Sequence, residues 1–599
     1  MRVNKHTLVG ALGAVLAAGC LAACGGGGSP GGGSPGGGSG TGSATASSGG
    51  SSGSASPATG NAKPPMNASS PIPGIAGCPK GASGSLHLVG DFGGPYSQEF
   101  NPLSASGNTQ TFQSFVYEPL LQYSLSKTNS IQPWLASSYK WSAGGKTLSF
   151  RLRHGIDWSD GKPFTSADVV YTFQLLKKDP ATNLKGIAYS SIAANGPYGV
   201  TMHFASPQYT QLFYIGTQYI VPQHVWSKFP NASKAQDTNP IGTGPYRLTK
   251  LTTQTIELTA NPHYWIKGSP CVKTVNAPTY YSNTTADLAM EQGGGDWGGL
   301  FVSGMSRYTR TKGHDFWNPP TNDVALYPNL TKAPLNSLPL RKAISLALDR
   351  NKIVQIGELG EEQVIDNATG IILPRDRSQL APKYANATLT QDTAKAKHLL
   401  TAAGYKFGSG GTLMTPSGKP VTLSIMAPAA FSDWIAAVQE VARELGAIGI
   451  KATVNPTQNA QWTSDMQLGH YQIAINAGEL GPNSFYQYDG WLYSHNTAPI
   501  GKLATTNWER YHNAHADSLI NSYLATNSPS AQARDMAGLE GVVANQVPVI
   551  PLYYATDWGL YTTTKFIGWP SPKDPYQIAS SYDNPENEVV LLHLAPKAG

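Results

Sequence analysis

The chain has 599 residues, enough for roughly three to four domain-sized units with large cores. Charged residues make up 13% and aromatics 10%, with 29 Tyr and 13 Trp, so the surface is polar, weakly charged and rich in flat side chains. A formal charge of +6 diluted over this length, with no Lys/Arg-rich block, argues against a nucleic-acid partner.

The first 24 residues carry Arg2 and Lys5 ahead of an apolar run from Leu8 to Ala18, the pattern of a secretory signal too short to span a membrane comfortably. Leu21-Ala22-Ala23-Cys24 has the form of a bacterial lipobox. Cys24 is therefore the expected lipidation site, with Cys20 a weaker second candidate, and the mature chain is expected to sit lipid-anchored on the outer, extracytoplasmic side of a membrane or in the periplasmic space. From residue 25 to 77 the chain is mostly Gly, Ser, Pro and Ala, which cannot bury enough surface to offset ordering entropy and reads as a disordered tether. Gly27-Gly28-Ser29-Pro30-Gly31 matches the nucleophile-elbow pattern but lacks the strand and helix that would give it meaning. Cys78 and Cys271, two lone cysteines far apart in an exported chain, suggest one disulfide; free buried thiols are the alternative.

Folded sequence begins near Gly84 with a short strand at Leu86–Gly90, followed by Asp91-Phe92-Gly93-Gly94-Pro95-Tyr96. Leu148, Phe150 and Leu152 alternate with Ser149, Arg151 and Arg153, a half-buried strand. Ser159-Asp160-Gly161-Lys162-Pro163 is a turn, and Thr165 is the expected N-cap of a helix through Val169, Val170 and Phe173. Trp158 reads as a packing anchor, Asp160 as turn chemistry and Asp168 as first-turn helix charge. Ile241–Leu248 reads as a Gly-rich turn entering a strand, without the Lys-Ser/Thr of a phosphate loop. Thr255–Leu258 is a further strand.

In Leu340–Ile353 the residues Leu340, Ala343, Ile344, Ala347 and Leu348 recur at three and four, predicting one amphipathic helix with Arg341, Lys342 and Arg350 outside. Ala394–Ala403 repeats the pattern, with Gly404 as its stop. Ser432–Leu445 leads through Gly446 and Gly449 into an alternating strand at Ile450–Val454. Strand, helix, strand is the rhythm of an α/β lobe.

The order of Asn101-Pro102-Leu103, Tyr117-Glu118-Pro119-Leu120-Leu121, Pro133-Trp134-Leu135-Ala136, Leu148–Phe173, Gly242-Thr243-Gly244-Pro245-Tyr246 and Asn261-Pro262-His263-Tyr264-Trp265 resembles bacterial extracellular solute-binding proteins of the oligopeptide-binding type, family 5. These are the capture subunits of ABC importers. Arg341–Arg350, Ala394–Tyr405 and Gln546–Leu552 continue the likeness. The resemblance implies an α/β, two-lobed periplasmic-binding-protein fold, large and class II-like, with an extra subdomain in the first lobe. It places the first lobe at 84–300, the second at 301–554 and a return to the first at 555–599. It also implies an ABC permease and ATPase as partners, membrane attachment through the lipid anchor, no cofactor and no enzymatic activity.

Oligopeptide-binding members place an acidic residue in the second lobe for the peptide's amino terminus. The matching stretch, Ala477–Leu492, lacks the usual Asp-Pro-Asp run and offers Glu479 and Asp489 instead. The aromatics Phe485, Tyr486, Tyr488 and Trp491, with Trp462 and Trp297, suit a flat, neutral ligand. Phe566–Pro570, Asp574–Tyr576 and the loop ending at Tyr96 resemble oligosaccharide-binding members. The expected ligand contacts are therefore Tyr96, Trp297, Trp462, Glu479, Phe485, Tyr488, Asp489 and Trp491, and the ligand an oligopeptide or oligosaccharide. A secreted, membrane-anchored hydrolase and a receptor that signals without transport are the rival readings. The 13 His contain no HExxH and no close metal pairing, which argues against a metalloenzyme.

Overall fold

Two mixed sheets carry the chain, as seen in a computed structural model that describes residues 75, 78, 84–90, 94–104 and 109–597. The expected signal, Cys20, Cys24, the tether apart from Ile75, and Asp91–Gly93 lie outside the described residues. The described residues belong to one compact unit spanning Ser56–Gly599. No helix among them is long and apolar enough to cross a membrane.

The first sheet has seven strands. At its centre Ser85–Val89 pairs in parallel with Thr274–Pro278 on one side and Trp297–Gly298 on the other. Leu560–Thr562 then joins Trp297–Gly298 to His314–Phe316. A four-stranded antiparallel sheet, with Thr147–Leu152 inside it, forms the extra subdomain. Leu148, Phe150 and Leu152 are buried there, as the alternation predicts. Thr165 and Asp168 form a reciprocal capping box on the helix Ser166–Lys178. Trp158 is buried edge-on to Phe164.

Several motif residues from the sequence meet in one buried network. The Glu118 carboxylate accepts from Trp134 Nε1 and Trp265 Nε1, both at 2.9 Å, and from the Tyr264 hydroxyl at 3.2 Å. The Arg153 guanidinium lies 5.1 Å over the Trp265 ring and donates to the Trp134 carbonyl. Burial raises the Glu118 pKa and lowers that of Arg153 to about 10. Gly242 is required where it stands: a Cβ there would lie 1.7 Å from the Val116 carbonyl oxygen. The motifs are thus fastenings of the scaffold. A disulfide joins Cys78 to Cys271, with Cα atoms 5.2 Å apart.

The second sheet has five strands, in the order Lys451–Thr457, Thr422–Pro428, Ile473–Ala477, Pro320–Pro328 and Ile550–Thr556. Helix Ser432–Gly446 connects its parallel strands Thr422–Pro428 and Lys451–Thr457, the expected βαβ unit. The pleat sends Val324 and Leu326 to one face and Ala325 and Tyr327 to the other, and both faces are buried in apolar clusters.

Three features differ from expectation. His314–Phe316 still pairs in the first sheet, so the outgoing crossing is at Trp317–Pro319, later than residue 300. The helix expected over Leu340–Ile353 is two helices, Leu338–Ala347 and Arg350–Gly357, separated by extended Leu348, with Asp349 capping the second. Arg341 and Arg350 are 5% and 3% exposed, not outside. Their guanidinium forks are spent on backbone carbonyls: Arg341 donates to Leu335, Gln546 and Val547, and Arg350 to Ser345 and Pro551. Buried charge is tolerated where its donors find partners; Arg341 ties its helix to the turn at Gln546 and Val547, and Arg350 ties the second helix to the strand at Pro551.

Candidate ligand site

The chain passes between the sheets at Trp317–Pro319 and again at Asp557–Gly559, and these crossings run side by side. Trp317 N donates to the Gly559 carbonyl and Gly559 N to Asn318 Oδ1, each at 2.9 Å. Beside them a cavity of about 1110 Å³ lies between the lobes and takes its walls from both.

Its margins are closed by direct contacts between lobes. Asn129 N donates to the Pro482 carbonyl at 2.8 Å, and Asn483 Nδ2 to Asn129 Oδ1 at 2.7 Å. The Tyr486 ring lies 5.0 Å from Phe213 and 5.7 Å from Tyr214, and its hydroxyl donates to the Thr210 carbonyl. Elsewhere Asn283 donates to Asp433 Oδ1 at 3.1 Å and accepts from the Ser432 hydroxyl at 3.2 Å. The molecule is therefore in a closed arrangement.

Helix Phe485–Leu492 decides which of the expected residues reach the cavity. Phe485, Tyr486, Asp489, Gly490 and Tyr493 line it, spaced as one helical face. Gln487, Tyr488, Trp491 and Leu492 point to the opposite face and are buried there. Trp491 Nε1 donates to the Tyr327 hydroxyl at 2.9 Å, and the Tyr488 hydroxyl to the Thr369 carbonyl at 3.0 Å. These two are core residues, contrary to expectation, because a helix has only one face to give the cavity. Trp297 is also in the core, with its indole N–H on the Ala579 carbonyl and its ring against Trp569. Tyr96 is buried edge-on to Phe112. Trp462 stands behind Trp434, 6.2 Å between rings, outside the cavity lining.

Glu479, Phe485 and Asp489 do line the cavity. Depth in the protein pushes both carboxyls up to about 7, with the Asp489 charge a second cause for Glu479. Gly478 makes this placement possible, since its carbonyl accepts from Asn322 and a Cβ there would strike Gln487. The other wall holds Glu362, raised by burial to about 8, and Asp433, raised to about 6. Lys185 also lines the cavity; its ammonium donates to the Thr217 carbonyl and hydroxyl, and burial lowers its pKa to about 8.

The aromatic walls come largely from residues that sequence reading did not single out. They are Phe213, Tyr214, Phe301, Phe431, Trp434, Tyr493, Trp508 and Trp558. Phe301 meets Trp558 edge-on at 5.5 Å, and Phe431 meets Trp434 at 5.4 Å. Only the helical spacing from Phe485 to Tyr493 carried a readable signal. Among the described residues no three His, Cys, Asp or Glu are grouped to hold a metal ion. Such walls bury a flat or extended solute and offer it both aromatic faces and carboxyl acceptors.

Residues 130–498 match the family model for bacterial extracellular solute-binding proteins, family 5. The nickel-binding periplasmic protein of Escherichia coli is 27% identical over 371 residues, covering 58% of this chain and 67% of that one. A putative ABC transporter peptide-binding protein of Brucella ovis is 28% identical over 414 residues, 65% of this chain and 72% of its own. In fold, the chain is similar to the oligopeptide ABC transporter periplasmic oligopeptide-binding protein of Thermotoga maritima bound to mannohexaose. The TM-score there is 0.77 at 23% identity, over 86% of this chain and 99% of that one. The oligopeptide-binding protein of Bacillus subtilis in complex with a nonapeptide gives a TM-score of 0.71 at 18% identity, over 86% and 99% of the two chains. With a family match over this much of its length and the two-lobed α/β architecture described above, the chain belongs to the bacterial extracellular solute-binding proteins of family 5.

Proposed function

We propose that this chain is the substrate-binding subunit of an ABC importer, held at the outer face of the membrane by a lipid on Cys24, and that it delivers an oligopeptide or oligosaccharide to a permease. The observation that carries the reading is the cavity of about 1110 Å³ enclosed by both lobes, with aromatic walls and several buried carboxyls. A ligand that touches both walls favours the closed form over the open one, and closure is the signal a permease reads. In this reading the lobes are 84–316 with 557–597, and 320–556.

Two features of the walls speak for different ligands. Phe431 with Trp434 and Phe301 with Trp558 present flat faces suited to sugar C–H surfaces. Among the described residues Glu479 and Asp489 have no ion-pair partner, and they suit a peptide's amino terminus. Thermal shift against panels of peptides and of cello- and xylo-oligosaccharides tests the proposal. One panel is expected to raise the midpoint in proportion to the logarithm of ligand concentration. Peptide binding lost in Asp489→Asn assigns the carboxyls, and sugar binding lost in Trp434→Ala assigns the aromatic wall. Turnover of a ligand in the same assay favours the hydrolase, and silence in both panels refutes both ligand classes.

A further inference from the structure

Five carboxyls line the cavity between the lobes, Glu362, Asp433, Glu479, Asp489 and Asp557, against one ammonium, that of Lys185. Glu362, Asp433 and Asp557 are 7%, 8% and 6% exposed, and Glu479 and Asp489 are half-buried. Among the described residues the donors to these carboxyls are neutral. Thr556 donates to Glu362, Asn283 Nδ2 to Asp433 at 3.1 Å, Asn496 Nδ2 to Asp489 at 3.2 Å and the Tyr582 hydroxyl to Asp557 at 3.5 Å. Asp557 Oδ2 is buried with no hydrogen-bond partner among those residues. Among them, too, none of the five acids stands within ion-pair distance of a cation, nor Lys185 of an anion. Lys185 spends two donors on Thr217, and Arg375, which faces Asp557, is held by Asp376 at 2.9 Å. Neutral donors spread the charge of a carboxylate but do not cancel it. Burial therefore raises these acids, helped at Glu479 by the Asp489 charge and at Glu362 by Asp433 and Asp557. Aromatic faces stand beside the acids: Trp434 follows Asp433, Trp558 follows Asp557, and both rings line the cavity. A carboxylate next to a ring face suits an alkylammonium or guanidinium group, which takes its counter-charge from one and a cation–π contact from the other.

Resting on the reading of this cavity as the solute site of an importer, we propose that its solute is a polycation. One ammonium or guanidinium group is received by Glu479 and Asp489, and another by the wall of Glu362, Asp433 and Asp557. Each entering cation gives a carboxyl the opposite charge that its neutral partners do not supply, and is held by charge-assisted hydrogen bonds. A neutral solute leaves that charge uncompensated, and an anionic one meets like charge in an enclosure where water screens little. Discrimination then follows the charge of the solute as much as its shape. A basic oligopeptide and an amino-sugar oligomer share this chemistry, and the stems of either can lie on the aromatic walls.

Isothermal titration calorimetry on the full chain tests this at low salt, with trilysine, trialanine and triglutamate in one series and the glucosamine trimer and cellotriose in the other. Trilysine is expected to bind about a hundredfold more tightly than trialanine, about tenfold for each place that receives a cation. Triglutamate is expected to bind more weakly than either. A gain of the glucosamine trimer over cellotriose, in place of trilysine over trialanine, keeps the polycation and assigns it to a sugar. Glu479→Gln and Glu362→Gln each remove one charge with little change of shape, and each is expected to shrink the ratio of cationic to neutral affinity by about tenfold. Far-UV circular dichroism checks folding, and Asp433→Asn replaces Glu362→Gln if that variant does not fold. Neutral probes that bind as tightly as their cationic counterparts overturn the proposal and leave the importer reading intact, as do folded variants that keep the natural ratio. Silence of every probe, neutral and cationic, counts against the importer reading itself, and the polycation falls with it.

Discussion

Trp491→Ala separates a ligand-wall residue from a core residue. The side chain is 1% exposed, packs against Tyr488 at 6.3 Å between rings and donates its indole N–H to the Tyr327 hydroxyl. Gly370, at φ +70°, comes so close that a Cβ on it would stand 2.8 Å from the indole. A wall this tight on both sides does not collapse into the space left by the ring. Truncating a buried Trp costs about 3–5 kcal/mol through lost transfer energy and the cavity left behind. At roughly 2–4 °C per kcal/mol for a domain of 150–250 residues, the midpoint for the second lobe should fall by roughly 6–20 °C. Differential scanning calorimetry without ligand reads this directly. Trp434→Ala is the counterpart: its ring is half-buried at the cavity, so its loss should weaken ligand binding far more than it lowers the midpoint. A Trp491→Ala protein with an unchanged midpoint and lost ligand affinity would refute the placement of this residue in the core.

Asn129→Gly should loosen closure without touching the cavity. Asn129 sits at φ +55°, which Gly adopts freely, and the change removes only the acceptor for Asn483, about 1 kcal/mol or roughly a fivefold faster ligand release in stopped-flow; an unchanged off-rate argues that this contact does not hold the lobes. Stability should fall as pH rises from about 4 to about 8. Burial raises Glu479, Asp489 and Glu586 to about 7 and Glu362 to about 8, so the folded chain holds protons that the unfolded chain has already released. A thermal midpoint that climbs over this range contradicts that sign. Reducing the Cys78–Cys271 bridge, which closes a sequence separation of 193, should cost about 2–5 kcal/mol and lower the midpoint of the first lobe; an identical midpoint with and without reductant, after mass spectrometry confirms free thiols, would show that the bridge contributes nothing.

What the sequence determined by itself is the scaffold, because its signals are local. Alternation at Leu148–Leu152, the Thr165–Asp168 cap and the Ser432–Gly446 stripe between two strands all lie within a few residues of the structure they specify. Tertiary structure decided everything that depends on which surface meets which. Arg341 and Arg350 look like the polar side of a helix until carbonyls from Leu335 to Pro551 are brought within reach of their forks. Trp491 and Tyr486 are near neighbours in one aromatic run, yet helical rotation sends one into the core and the other against Phe213, which is 273 positions earlier. A period can be read along a chain. Contact across a fold cannot, because it is set by packing that no short stretch encodes.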